Sequence, residues 1–145
     1  MTRTELITKI ASAISKMEGY NLLNSPARKN NNPGSIRGWP KTPVVNGYAK
    51  FSRAEDGWKA LYKQIETNIF SLGSRDIYPL RKDVGLSLKE FFAGQRDEDG
   101  QLLKGGYPGY APAADSNRPI HYAKYVAEQV GVADIETKLK EFIDN

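Results

Sequence analysis

The sequence contains no cysteine and only one histidine, His121. Without cysteine the chain has neither disulfides nor a thiolate nucleophile. A single histidine argues against a histidine-based metal site and against a Ser-His triad, since no Gly-x-Ser-x-Gly elbow accompanies it. The acidic turn at residues 97–100 lacks the alternating ligands of a calcium loop. We therefore expect no metal and no cofactor.

The sequence also lacks an apolar run long enough to cross a membrane. Residues 1–5 lead directly into an amphipathic pattern, without the apolar segment and small-residue cleavage site of a signal peptide. These absences predict a protein with no signal peptide and no membrane partner. If it acts outside the cytoplasm, another component must carry it there.

The 145 residues are 39% hydrophobic and 26% charged, which predicts one soluble globular domain over residues 1–145. The net charge of +4 suits an anionic polymer such as a bacterial cell wall or a nucleic acid. Lysine and arginine alternate with acidic residues along the predicted helices, so the sequence shows no dedicated nucleic-acid patch. We therefore predict no nucleic-acid partner.

The spacing of apolar residues predicts an α+β chain that is mostly helical. Capping boxes at Thr2, Ser52 and Ser87 predict helix starts, and Gly19, Gly73, Gly94 and Gly131 predict helix ends. The sequence further predicts a helical turn at residues 25–28, a type II turn at Pro33-Gly34, a hairpin with an Asn46-Gly47 turn ending near Phe51, and a last helix capped by Asp134 that includes Ile143.

Glu18 lies in the last turn of the first predicted helix and precedes Gly19, the stop signal. The negative end of the helix dipole and burial against Met17 and Tyr20 would both raise the pKa of its carboxyl group. A partly protonated glutamate is what a glycosidic general acid requires. The Asn-rich turn at residues 30–37 would then form the wall that holds a sugar chain. For Glu18 taken alone, a solvated residue at a helix end is the simpler interpretation.

Several segments together resemble a known superfamily. They are Glu18-Gly19, the Asn-Asn-Pro-Gly-Ser-Ile-Arg run at residues 31–37, Phe51 with residues 57–61, residues 110–112, Asn117, Tyr122 and Gly131-Val132. This order resembles the lysozyme superfamily, and most closely the lytic-transglycosylase-like murein-degrading domains of bacteriophages and prophages. The resemblance spans most of the chain, from the first helix to Gly131.

The resemblance implies a lysozyme-like fold with a small β-hairpin beside an active-site cleft, and Glu18 at the centre of that cleft. Glu18 would protonate the β-1,4 bond between N-acetylmuramic acid and N-acetylglucosamine. The implied partners are peptidoglycan glycan strands, with other virion proteins as further candidates. The implied location is a phage virion, or the bacterial cytoplasm before release as an endolysin.

The second carboxylate decides the type of reaction, because a hydrolase commonly uses one across the sugar from the acid. After Glu18 the next acidic residues are Glu55 and Asp56, whereas the transglycosylases that the chain resembles need one carboxylate. We therefore favour a lytic transglycosylase that leaves 1,6-anhydro ends. The alternatives are a phage muramidase that uses Asp56 or Asp115, a non-catalytic structural or wall-binding module, and, on charge alone, a nucleic-acid binder.

The resemblance also suggests residues that bind the substrate. Asn32 and Ser35 would offer hydrogen bonds to the sugar, and Tyr110 would orient the acetamide or stack beneath a ring. Tyr107 and Tyr110 could equally cover the core. Asn117 caps its helix or lines the cleft, and Arg37 meets peptide carboxylates or joins a surface ion pair. The full set is Asn32, Ser35, Arg37, Tyr110 and Asn117.

Overall fold

The computed structural model describes residues 1–70, 77–112 and 117–144 and shows a mostly helical α+β protein. The α-helices are α1 (Arg3–Met17), α2 (Pro26–Lys29), α3 (Ala54–Phe70), α4 (Leu88–Ala93) and α5 (Pro119–Val130). The strands β1 (Val44–Val45) and β2 (Tyr48–Ala49) form an antiparallel pair, and short 3₁₀ helices cover Pro79–Arg81 and Leu139–Phe142. None of the helices in these described ranges is both long enough and apolar enough to span a bilayer.

The chain forms two compact units. One is continuous and consists of Ile7–Ile65, and the other combines Met1–Leu6 with Glu66–Asn145. Helices α1 and α3 each contribute residues to both units. The first unit contains α2, the hairpin and most of α1 and α3, and therefore holds Glu18 and the Asn-rich turn.

The unit of residues 7–65 buries the apolar stripes of its two long helices. Ile10 and Ile14 of α1 and Leu61 and Ile65 of α3 are fully buried, as their helical spacing predicts. The hairpin is also confirmed, with Val44 opposite Ala49 and Val45 opposite Tyr48. Its turn residues Asn46 and Gly47 both have positive φ, which gives the type I′ geometry that suits the twist of a two-residue hairpin.

The turn at Pro33-Gly34 differs from the predicted type II turn. The Ser35 amide donates to the Asn32 carbonyl at 3.2 Å, but the positive φ falls on Ser35 (48°) and not on Gly34. Asn31 is also left-handed, with φ 50°. The sequence rule failed here because the Asn32 side chain binds the Ile36 backbone and so determines the path of the chain after the turn.

The first turn of α3 packs directly on this Asn-rich turn. A Cβ atom added to Gly57 would lie 1.8 Å from the Asn31 carbonyl oxygen and 3.0 Å from the Pro33 ring. Such a contact is far inside van der Waals distance, so only glycine allows α3 to approach the turn so closely. Gly57 therefore sets the distance between α3 and the turn.

We predict that Gly57→Ala destabilises the protein by about 3 kcal/mol, because helix and turn must separate to admit the methyl group. Gly38→Ala is the control, since a Cβ atom there meets nothing within 4 Å. Urea unfolding of both variants measures the difference. Equal stability of the two variants would contradict the close approach.

The second unit has an aromatic and aliphatic core around α4 and α5. Phe91 and Phe92 of α4 and Ala123 and Val126 of α5 are fully buried. The Ser87–Glu90 capping box at the start of α4 is confirmed by both of its hydrogen bonds. The Thr2–Glu5 capping box at the start of α1 is confirmed as well.

The prediction of a last α-helix after Asp134 was wrong. Asp134 accepts hydrogen bonds from the Glu136 amide and the Thr137 hydroxyl, which makes a local turn, and only Leu139–Phe142 is helical. The backbone hydrogen bonds of this segment go instead to the start of α4, where Leu139 N–H donates to Leu86 and Ile135 accepts from Lys89. Pairing with another segment therefore replaced the helix that the apolar spacing indicated.

The predicted start of α3 and the predicted end of the second strand also need correction. The helix starts at Ala54 and not directly after Ser52, and the Glu55 carboxylate pairs with Arg53 at 2.9 Å. The predicted end of the helix at Leu72 and Gly73 lies outside the described residues. On the strand side, β2 ends at Ala49, and Phe51 lies beyond it as a buried core residue.

Candidate functional site

Glu18 is the residue immediately after α1, and the backbone around it is fixed by a Schellman motif. The Tyr20 amide donates to the Ser15 carbonyl at 3.0 Å, and the Gly19 amide donates to the Lys16 carbonyl at 3.2 Å. Gly19 has φ 74°, the left-handed conformation that this motif requires. The Glu18 amide still donates to the Ile14 carbonyl at 2.9 Å. The carboxylate therefore projects from a defined helix end.

The Asn-rich turn is held by side-chain amides that bind backbone groups. Asn32 is completely buried, and its Nδ2 donates to the Ile36 and Ala49 carbonyls, each at 2.9 Å. Its Oδ1 accepts from the Ile36 amide at 3.0 Å. Asn31 Nδ2 donates to the Phe51 carbonyl at 2.9 Å. These bonds fix the turn against the chain that leaves the hairpin.

Ser35, at the end of this turn, brings its side chain within hydrogen-bonding reach of the Glu18 carboxylate. Burial raises the pKa of Glu18 above its usual value, because the charged form loses hydration, and the hydrogen bond from Ser35 opposes this shift only in part. The sequence predicted a raised pKa from burial and the helix dipole, and burial is the cause that raises the pKa in the structure. A half-buried carboxyl group with one hydroxyl partner can store and donate a proton.

The raised pKa has a consequence for stability. Because folding favours the protonated form of Glu18, the unfolding free energy falls as pH rises from the unfolded-state pKa through the higher folded-state pKa. Glu18→Gln cannot ionise and so avoids this decrease in unfolding free energy. We therefore predict that the variant has a higher Tm than wild type at pH 7 and an equal Tm near pH 4. Thermal unfolding across this pH range measures the difference. A Tm gap that does not change with pH would contradict the shift.

An aromatic cluster lies in the same unit. The Tyr20 ring meets Trp58 edge-on with centroids 5.5 Å apart, and Trp58 lies 6.0 Å from Tyr62. The Arg28 guanidinium covers the Tyr20 ring at 4.9 Å, and Arg28 Nη1 also donates to the Tyr20 carbonyl at 3.4 Å. Tyr20 follows Glu18 by two residues, so this packing supports the helix end that carries the carboxyl group.

The structure places Ser35, which was predicted to bind the sugar, next to Glu18, and it gives Asn32 a role other than the predicted one. Because Asn32 exposes no surface and both of its amide hydrogens are bound to carbonyls, it cannot offer them to a sugar. It is a positioning residue for the turn. Arg37 is exposed, and its guanidinium lies 5.2 Å from the centre of the Tyr48 ring. It makes no ion pair in the described part of the chain.

Tyr110 and Asn117 belong to the other unit. The Tyr110 ring stacks on Phe91 at 5.1 Å and is half-buried, and Tyr107 is buried beside the same Phe91. The core interpretation is therefore correct for Tyr107, and Tyr110 packs on the core with part of its surface open. Asn117 does not cap α5, since Arg118 is the cap residue and the Asn117 amide donates to Pro112 at 3.4 Å.

The carboxylates proposed as second catalytic groups are paired or outside the described residues. Asp56 accepts two hydrogen bonds from Arg53, each 3.2 Å long, and Glu55 pairs with the same guanidinium. Asp115 lies outside the described residues. Across residues 1–70, 77–112 and 117–144, no group of three histidine or acidic side chains is placed to hold a metal ion.

Sequence reasoning missed two surface features of the unit that holds Glu18. Leu22 and Leu23, a few residues after Glu18, are 66% and 77% exposed. A groove lined by several lysines and by Trp39 opens beside the hairpin. Neighbouring lysines lie up to nine positions apart in the sequence, so no run of charge marked them.

Comparison of the chain with protein-family models, curated proteins and solved structures finds no significant match.

Proposed function

We propose that this protein cleaves the β-1,4 bond between N-acetylmuramic acid and N-acetylglucosamine in peptidoglycan, as a lytic transglycosylase with a lysozyme-like fold. The observation that carries the proposal is the half-buried Glu18 carboxyl group, whose pKa is raised by burial, at a hydrogen-bonded helix end beside Ser35. A protonated carboxyl group in this setting suits the general acid that glycosidic cleavage requires. The choice of peptidoglycan as the substrate rests on the resemblance of residues 18–19 and 31–37 to phage murein-degrading domains.

In the proposed reaction Glu18 donates its proton to the glycosidic oxygen as the bond to the anomeric carbon of N-acetylmuramic acid breaks. The carboxylate that remains then accepts the proton of the muramic acid 6-hydroxyl, whose oxygen attacks the same carbon and closes the 1,6-anhydro ring. Glu18 therefore ends the cycle protonated, as it began. Ser35 supports the second half of the cycle, because its hydrogen bond stabilises the ionised carboxylate.

The charge pattern of the unit supports transglycosylation over hydrolysis. Residues 7–65 contain three acidic side chains, and Arg53 binds both Glu55 and Asp56. Glu18 is therefore the carboxylate of this unit that has no cationic partner among the described residues. A mechanism in which one carboxylate serves as acid and then as base needs no second one.

The test is mass spectrometry of the products released from purified peptidoglycan. We predict that wild type releases anhydro-muropeptides, one water lighter than hydrolysed products, and that Glu18→Gln lowers their release at least about 1,000-fold because no acid replaces it. Glu55→Gln, an exposed carboxylate on the same unit, is the control and keeps full activity. Reducing-end products from wild type would instead assign a muramidase and make Asp56 the next residue to change. No product from wild type would leave a non-catalytic module.

A second prediction concerns the pH profile. Removing the Ser35 hydroxyl removes a group that stabilises ionised Glu18, so Ser35→Ala should raise the pKa of Glu18 further. Because the protonated form is active, the alkaline limb of kcat/KM should move to higher pH. The measurement is the initial rate of anhydro-product formation across pH. Thr42→Ala, which removes a hydroxyl from the same unit, should leave the limb unchanged, and a shift equal to that of Ser35→Ala would contradict the assignment.

A further inference from the structure

The two compact units differ in sign of charge. Residues 7–65 carry ten lysines or arginines and three acidic residues, so their net charge is +7. The rest of the chain carries eleven basic and fourteen acidic residues, and its net charge is −3. The net charge of +4 for the whole chain conceals this difference. An anionic partner is therefore attracted to the unit that holds Glu18.

Part of this positive charge surrounds a groove of about 700 Å³ in the same unit. The volume lies in the range of ligand-binding pockets. Trp39 and Pro43 contribute apolar surface, and the buried Phe51 also lines the groove. Four exposed lysines line the groove, namely Lys41, Lys50, Lys59 and Lys63.

The four ammonium groups have no ion-pair or hydrogen-bond partner within the described chain. Asp56, the acidic residue in the lining, is already held by Arg53 through two hydrogen bonds of 3.2 Å. A groove of about 500 Å³ in the other unit shows the contrast, because its lysines are paired, Lys89 with Glu136 at 3.0 Å and Lys138 with Glu90 at 2.6 Å. The first groove thus presents unneutralised charge on a concave surface.

We propose that this groove binds the carboxylate groups of peptidoglycan peptide stems, an inference that rests on the proposed function and extends it. Lysine ammoniums are flexible point charges that accept carboxylates at variable positions, and Trp39 and Pro43 offer apolar surface to the aliphatic parts of a peptide. Single-stranded nucleic acid needs successive exposed rings for stacking. Of the two aromatic residues here, Phe51 is buried, so the groove suits a carboxylate-bearing peptide better.

The groove is joined to the Glu18 site through the backbone. Phe51 lines the groove, and its carbonyl accepts the Asn31 amide in the turn that carries Ser35. A compact unit of this size has a radius of gyration of about 10 Å, so one polymer can reach both places. The peptide stem would then hold the glycan strand on the surface where Glu18 acts.

The experiment measures binding to insoluble peptidoglycan stripped of other polymers, with every protein carrying Glu18→Gln so that the wall stays intact. One sample keeps its carboxylates, and in a second they are amidated by carbodiimide coupling. Lys59→Gln with Lys63→Gln removes two groove charges. Lys9→Gln with Lys124→Gln removes two exposed helix charges elsewhere and is the matched control.

We predict that the groove variant binds the carboxylate sample about tenfold more weakly than its parent at low salt, while the control variant binds like the parent. Amidation should weaken the parent by a similar factor and abolish the difference between the variants. Equal binding of the groove variant and its parent, or indifference to amidation, would overturn the proposal. A single-stranded oligonucleotide that binds the parent more tightly than the wall sample, and loses affinity in the groove variant, would assign the groove to nucleic acid instead.

The binding test and the test of the proposed function can fail independently of each other. If binding depends on carboxylates and on the groove lysines but wild type releases no anhydro-products, the proposal for the groove stands and the proposed catalysis is rejected. If wild type releases anhydro-products but the groove variant binds like its parent, the proposed catalysis stands and the proposal for the groove is rejected.

Discussion

The buried side-chain amide of Asn32 is the interaction on which the rest of the unit depends. It supplies three hydrogen bonds to backbone groups on two separate segments, with no exposure to water. Breaking them would leave the Ile36 amide and the Ala49 carbonyl unsatisfied in the interior, which costs about 1–3 kcal/mol for each group, while the Ile36 carbonyl keeps its bond from the Ala49 amide. The turn from Asn31 to Ser35 can therefore hold two left-handed residues, and Ser35 reaches Glu18 because the turn cannot relax.

The electrostatics of Glu18 result from two opposing effects. The unit around it has a net charge of +7, which by itself would favour the ionised carboxylate. Desolvation nonetheless raises its pKa. The difference arises because exposed lysines act through water and salt, which screen charges beyond about 10 Å, whereas loss of hydration acts on the carboxyl group directly. The same lysines remain effective toward a ligand that comes within contact distance of them.

Local signals in the sequence predicted the elements that are decided locally. The apolar stripe of α1, the Asn46-Gly47 turn and the Ser87 capping box each depend on residues within one turn of each other, and all three appear in the structure. Glu18 was found for the same reason, since Gly19 marks the helix end next to it. Backbone hydrogen bonds between segments far apart in the sequence were not predictable. Such bonds join residues 135–139 to residues 86–89, where the sequence had predicted a last helix.

The candidate site shows the same division. The sequence suggested Asn32 as a sugar ligand because the side-chain amide of an asparagine in a turn is often free. Only the fold shows that this amide donates both of its hydrogens to the carbonyls of residues 36 and 49. The lysine groove was hidden because Lys41, Lys50 and the pair on α3 alternate with other residues along the chain. The charge difference between the units becomes visible only when the boundaries of the units are known.

The partners of the Asn31 and Asn32 side chains are main-chain carbonyls and one main-chain amide, and not side chains. Such bonds place few demands on residue identity in the segment that accepts them. Val44, Val45 and Asn46 are exposed, so the tip of the hairpin is free to vary while the frame beneath it stays fixed. Selection or engineering could therefore change the tip without disturbing the carboxyl group at the end of α1.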